Sequence, residues 1–189
     1  AILNEGWKEK LGIDYEDLEW AETGERLTAR TFAEYREIGG MVIMHSMRDD
    51  LVDSAVASSL TSIASDGYLN GGKGHPRTAG CYSRVLGHYV RETGQLTLMD
   101  AIRKMTLMPA IRLETFAPAF KKKGRLAEGS DADVMIFDPE KVIDRSTYQE
   151  PTLSSGGMHH VLVNGIPVVR DGVVQEGVNP GMGIRSPGN

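Results

Sequence analysis

The sequence has little of several features that mark particular classes of protein. Its 189 residues include a single cysteine, Cys81, so no disulfide can form within the chain, and we expect a reducing, cytoplasmic setting. Lys and Arg number 21 against 26 Asp and Glu, and the resulting net charge of -5 argues against a nucleic-acid partner. No apolar run approaches the roughly 20 residues that cross a bilayer, so we expect no membrane segment. With 40% hydrophobic and 25% charged residues, the composition is that of an ordinary globular protein.

A strand, a helix and a second strand are predicted between residues 41 and 67. Residues 41–44 form a short apolar run that ends at His45, and residues 61–64 form a second run that ends at Ser65-Asp66-Gly67. A helix capped by Asp49 or Asp50 separates them. This spacing predicts a βαβ unit with parallel strands. Because chemistry in parallel α/β folds gathers at the carboxyl ends of the strands, His45 and Asp66 are candidate site residues.

A long glycine-rich loop follows Asp66 and carries several polar side chains. Lys73, His75 and Arg77 lie in it, and two helices are predicted after it. Loops of this length within a compact domain are usually functional or disordered. The charged side chains favour a functional loop.

The residue pattern changes near Lys121, after which short apolar runs alternate with glycines. Asn164-Gly165 and Asp171-Gly172 are strong signals for two-residue hairpin turns. We therefore predict an α/β part over residues 1–115, a small β module over 116–178 and a loose tail over 179–189.

Four stretches of the sequence resemble the carboxyl-terminal part of an amidohydrolase-superfamily enzyme. They are Ser65-Asp66-Gly67, the Gly-Ser-Asp-Ala-Asp segment at 129–133 with its flanks, the hairpin at 161–172, and His75-Pro76-Arg77 with residues 84–89. The last stretch is similar to the branch of N-acyl-D-amino-acid deacylases. The resemblance implies the last βα units of an incomplete (β/α)8, TIM-like barrel, followed by strands of a small β-sandwich domain.

The resemblance also implies a chemistry for the candidate residues. Asp66 would be a metal ligand and the general base on zinc-bound water, and Arg77 would hold the substrate carboxylate. His75, Lys73 and His45 are further candidates for binding an N-acyl amino acid. Taken without the resemblance, Asp66 also fits an ordinary turn, Arg77 a solvated loop side chain, and His45 a structural histidine.

Most of the groups that such a metal centre needs have no counterpart in the sequence. No two histidines stand two residues apart, and a catalytic zinc usually has three protein ligands, of which Asp66 is one. We therefore expect a fragment of a longer deacylase that is inactive and binds no zinc alone, and that self-associates through exposed barrel strand edges. A fragment of a cyclic amidase of the dihydroorotase or dihydropyrimidinase type, and a short non-catalytic interaction module, remain as alternatives.

Overall fold

The computed structural model describes residues 3–186, and within that range the chain forms six α-helices and eight short strands. The helices are α1 (Trp7–Leu11), α2 (Ala29–Ile38), α3 (Asp49–Ala57), α4 (Arg77–Arg84), α5 (Leu98–Met105) and α6 (Leu107–Leu113). The strands are β1 (Leu18–Trp20), β2 (Val42–Met44), β3 (Leu69–Asn70), β4 (Lys73–Gly74), β5 (Val134–Phe137), β6 (Met158–Val163), β7 (Ile166–Arg170) and β8 (Val173–Val174). A π-helix, Val85–Glu92, continues α4, and short 3-10 turns lie at Tyr15–Asp17 and Pro118–Lys122.

The amino-terminal part is built on an antiparallel strand pair packed against an aromatic cluster. β1 pairs with β2, with Glu19 opposite Ile43. Trp7 and Trp20 are buried in this cluster, and the ring of Trp20 stacks on Tyr35 of α2 at a centroid distance of 4.4 Å. Residues 13–26, which show no clear period, therefore contain a fully buried strand because both faces of β1 are covered.

The predicted parallel βαβ unit is wrong in its pairing. β2 and α3 form where the sequence predicts them, but the predicted cap at Asp49 or Asp50 is wrong, because both lie in the first turn of α3 and Arg48 precedes it without a side-chain cap. β2 pairs antiparallel with β1, and residues 61–64 have no regular secondary structure. Isolated short strands gain no backbone hydrogen bonds, so an apolar run becomes a strand only where a neighbour runs beside it. Residues 61–64 instead dock on a helix, where the backbone N–H of Ile63 donates to the carbonyl of Lys104 at 3.0 Å. Self-association was predicted from the exposed edges of two parallel strands, and these two strands do not form such a pair. Self-association itself stays a prediction.

A second core joins the helices to the carboxyl-terminal β module. Val85, Leu86 and Tyr89 of the π-helix pack with Ala101 of α5, as the apolar spacing predicts. Val142, which lies in the connection between β5 and β6, inserts into the same cluster and is 1% exposed. The predicted division near residue 115 stays a prediction, and one hydrophobic core crosses it.

The β module is a four-stranded antiparallel sheet in the order β5-β6-β7-β8. Both predicted hairpin turns are confirmed, since Asn164, Gly165, Asp171 and Gly172 all take positive φ, as two-residue turns of type I′ require. Within residues 3–186 this module contributes one sheet, so the second layer of a sandwich is not among them.

The predicted tail is irregular where it is described. Residues 179–186 form no helix or strand, and residues 187–189 lie outside the described part of the chain. Across the described residues, no helix is long and apolar enough to cross a membrane.

Candidate active site

Asp66 and Arg77 form an ion pair at the start of α4. The guanidinium of Arg77 donates from Nη2 to Oδ2 of Asp66 at 2.7 Å and from Nε to the Asp66 backbone carbonyl at 3.1 Å. Asp66 takes a left-handed conformation, with φ of 45°, and Gly67 packs so closely on Thr78 that a side chain there would overlap its backbone. This close approach places the turn at residues 65–67 beside the first residue of α4. The structure thus brings together the two residues that carry the predicted chemistry.

The loop that carries Arg77 packs against a segment of the β module, residues 144–149. The Ser146 hydroxyl donates to the carbonyl of Pro76 at 2.8 Å, and Nζ of Lys73 donates to the carbonyl of Gln149 at 3.4 Å. A side chain at Gly80 would overlap both Ser146 and Asp144, so α4 can approach this segment only with glycine at that position. The predicted site loop is therefore fixed both by the turn at residues 65–67 and by the segment 144–149.

His75 lies between Arg77 and a tyrosine of that segment. Its Nδ1 accepts the backbone N–H of Arg77 at 3.1 Å, and its Nε2 lies 3.3 Å from the hydroxyl of Tyr148. Burial, and after it the positive charges of Arg77 and His45, lowers the pKa of His75 to about 4. His75 is therefore neutral near pH 7 and supports its neighbours as a hydrogen-bonding group rather than as a cation.

His45 also packs on Tyr148. Its ring lies 4.8 Å from the ring of Tyr148, between centroids, and its Nε2 lies 2.9 Å from Oε2 of Glu19. Glu19 is only 6% exposed, and Arg26 lies 3.9 Å from its carboxylate. A buried carboxylate needs partners of this kind, because an unpaired one would carry a large desolvation cost.

Part of this group, which includes His75, Arg77 and Tyr148, lines a cleft between the helices and the β module, whereas Asp66, Lys73, His45 and Glu19 lie outside its lining. Its volume is about 770 Å³, and its walls include His75, Arg77, Arg84 and Tyr148. Burial raises the pKa of Tyr148 and that of Cys81, which also lines the cleft, so both stay protonated near neutral pH. Open clefts of this size with a few convergent polar groups are typical small-molecule sites.

The described residues do not form a zinc site by themselves. No group of three or more His, Cys, Asp or Glu side chains that could hold a metal occurs within residues 3–186. The carboxylate of Asp66 is 88% exposed and pairs with Arg77. Any zinc centre that includes Asp66 must take its other ligands from residues outside this set.

The structure thus groups four of the five predicted site residues and adds two that the sequence analysis missed. Asp66 and Arg77 pair directly, His75 and His45 meet at Tyr148, and Lys73 points instead to the rim at Gln149. Tyr148 and Glu19 were missed. Glu19 carried one weak signal, as a charged residue between the apolar Leu18 and Trp20.

Comparisons with known proteins show which enzymes the chain is similar to. N-acyl-D-glutamate deacylase of Alcaligenes xylosoxydans xylosoxydans is 50% identical over 106 residues, which are 56% of this chain and 21% of that protein. D-aminoacylase of the same organism is 38% identical over 126 residues, which are 67% of this chain and 25% of that protein. The chain therefore spans about a fifth to a quarter of the length of these curated relatives.

Solved structures of the same kind of enzyme share the fold. A D-aminoacylase studied for its binuclear metal centre matches with a TM-score of 0.72 and 32% identity, covering 88% of this chain and 33% of that one. N-acyl-D-glutamate deacylase from Bordetella bronchiseptica, complexed with zinc and a phosphonate inhibitor, matches with a TM-score of 0.69 and 35% identity, covering 87% and 37%.

A model of the amidohydrolase family matches residues 30–169, which include every predicted site residue. Because this match covers well over half of the chain, the chain belongs to the amidohydrolase family.

Proposed function

We propose that this chain forms part of a metal-dependent hydrolase that cleaves the amide bond of N-acyl-D-amino acids. The observation that carries the proposal is the Arg77 guanidinium, which already holds a carboxylate at the wall of a cleft sized for a small molecule. The N-acyl-D-glutamate and D-amino-acid deacylases that resemble the chain act on substrates with a free carboxylate. An open-chain N-acyl amino acid therefore fits this cleft better than a cyclic amide that lacks a carboxylate, such as dihydrouracil, does.

Arg77 is proposed to anchor the α-carboxylate of the substrate. A planar guanidinium offers two parallel donors to a carboxylate, which fixes orientation as well as position. In the present structure these donors are engaged by Asp66, so substrate binding and the Asp66–Arg77 ion pair compete for the same face of Arg77. Binding of the substrate carboxylate would therefore free Asp66.

Asp66 is proposed to act as the general base once it is released. Once the substrate carboxylate replaces it on Arg77, the carboxylate of Asp66 has both oxygens free to accept a proton from the attacking water. General-base catalysis by a positioned side chain typically contributes about 10²- to 10⁴-fold in rate. Asp66 is also proposed to be a ligand of the metal, because the chain belongs to the amidohydrolase family.

The same relationship supports an architectural proposal. Residues 1–115 would form the last βα units of a (β/α)8 barrel, and residues 116–178 would form strands of the small β domain beside it. The TM-scores near 0.7 against D-aminoacylases support this assignment.

Two measurements test the proposed function. The first is the intact mass of the polypeptide in its source cells, by blot or mass spectrometry, which decides whether assays use a longer enzyme or this chain. The second is hydrolysis of N-acetyl-D-amino acids, their L enantiomers and dihydroorotate by that natural form, supplied with zinc. Turnover of the D compounds is expected, and turnover of dihydroorotate alone would contradict the proposal.

Substitutions then separate the two proposed roles. Arg77→Ala should lower kcat/KM by about 10²-fold, mainly through KM, because a charge-assisted pair of hydrogen bonds is lost. Asp66→Asn should lower kcat by about 10²-fold or more. Arg48→Ala is the matched control, since that arginine is exposed and pairs with Asp50 away from the cleft. An unchanged kcat/KM for Arg77→Ala would refute the anchoring role.

A further inference from the structure

The hydrogen bonds of His75 fix the direction of the hydrogen bond to Tyr148. Nδ1 of His75 accepts the backbone N–H of Arg77, so in the neutral ring the proton must lie on Nε2. The Nε2–H group therefore donates to the oxygen of Tyr148, 3.3 Å away. The phenolic hydrogen of Tyr148 is consequently left available for another acceptor.

Nothing among residues 3–186 takes that hydrogen. The contact with His75 is the one hydrogen bond that the hydroxyl of Tyr148 makes in the described part of the chain. The side chain is half-buried and lines the cleft, and the rings of His45 and His75 pack on it at centroid distances of 4.8 and 5.2 Å. A donor fixed in this way loses little rotamer entropy when it binds a ligand.

The imidazole of His75 ties this donor to the proposed carboxylate anchor. It contacts the backbone of Arg77 on one side and the hydroxyl of Tyr148 on the other, so both residues keep a fixed position relative to one ring. A carboxylate has about four lone-pair sites, so it can accept hydrogen bonds from a guanidinium and from a phenol together. Donation from Nε2 to the phenol oxygen also strengthens the phenol as a donor.

We infer that Tyr148 is a substrate-binding residue of the cleft, whose hydroxyl donates a hydrogen bond to the carboxylate held by Arg77. This inference rests on the proposed function and deepens it, since it adds to the substrate site a residue from the β module. His75 acts as the positioning residue that orients both donors.

The test is the kinetics of Tyr148→Phe in the complete natural enzyme. Phenylalanine keeps the ring that packs on His45 and removes only the hydroxyl. With an N-acetyl-D-amino acid, KM should rise about 10- to 100-fold, the usual effect of a hydrogen bond to a charged group, while kcat stays within about threefold. With the matching α-carboxamide, which carries no carboxylate, the variant and the wild type should differ by less than about threefold.

Two further variants make the test specific. Tyr82→Phe is the matched control, because Tyr82 is exposed and lies outside the cleft. His75→Asn keeps an acceptor for the Arg77 backbone and removes the donor to Tyr148, so it should raise KM, and adding Tyr148→Phe should raise it little further. Fully additive effects would overturn the positioning role of His75.

The outcomes distinguish this inference from the function on which it rests. An unchanged KM in Tyr148→Phe, or an equal loss on acid and carboxamide, overturns the inference while Arg77-dependent turnover upholds the function. Absence of any turnover of N-acyl-D-amino acids by the wild type overturns both.

Discussion

Val142 offers a direct test of the core that joins the helices to the β module. Its side chain is 1% exposed and packs with Val85, Leu86 and Tyr89 of the π-helix. Val142→Ala removes two methyl groups, each worth about 0.8 kcal/mol of burial, and leaves a cavity that adds about 1 kcal/mol. The free energy of unfolding should therefore fall by about 2–3 kcal/mol.

The assay is urea unfolding followed by circular dichroism, in which the midpoint and the slope are measured separately. Val173→Ala is the matched control, because Val173 is 63% exposed at the edge strand β8, and it should change the free energy of unfolding by about 0.5 kcal/mol or less. Equal losses in the two variants would refute the shared core. A second unfolding transition in the unsubstituted chain would show that the helices and the β module do not unfold together.

Two further predictions concern the loop at the site. Because the pKa of His75 is lowered to about 4 from an ordinary 6.5, the unfolded chain binds more protons between these values, so stability should fall as pH drops from about 6.5 towards 4. NMR titration of the ring checks the pKa, and a midpoint near 6.5 would contradict its burial. Gly80→Ala should destabilise the chain by about 1–3 kcal/mol, because its Cβ would overlap Ser146 and Asp144, whereas Gly181→Ala meets open space and should be neutral in the same urea assay.

The sequence predicted the turns and helices, which depend mainly on residues close to one another in the chain. The turns at Asn164-Gly165 and Asp171-Gly172 are encoded by two residues each, and α3 and α5 by their apolar spacing and flanking polar residues. The pairing of β2 was not predictable in this way, because it depends on β1, whose three residues are too few to show a strand pattern and include a buried charge. The strand predicted at 61–64 failed for the same reason, since strands require partners.

In the candidate site, too, residues close in sequence were predicted and a residue distant in sequence was missed. Asp66 and Arg77 lie 11 residues apart, and a resemblance in short motifs was enough to single them out. Tyr148 contacts His75 across 73 residues of sequence, and nothing in its own surroundings indicates that contact. Long-range contacts of this kind follow from the packing of the β module on the loop, which only the folded chain reveals.

The bridge from residues 144–149 to the loop before α4 bears on how enzymes of this family can be recombined. Ser146 and Tyr148 lie beyond the predicted barrel boundary near residue 115, yet they contact Pro76 and His75. A chimera joined at that boundary would pair one parent's Arg77 loop with the other parent's supporting segment. A crossover placed after Gln149 would instead take the loop and its supporting segment from the same parent. Chimeras meant to exchange substrate preference between relatives should therefore be joined after Gln149.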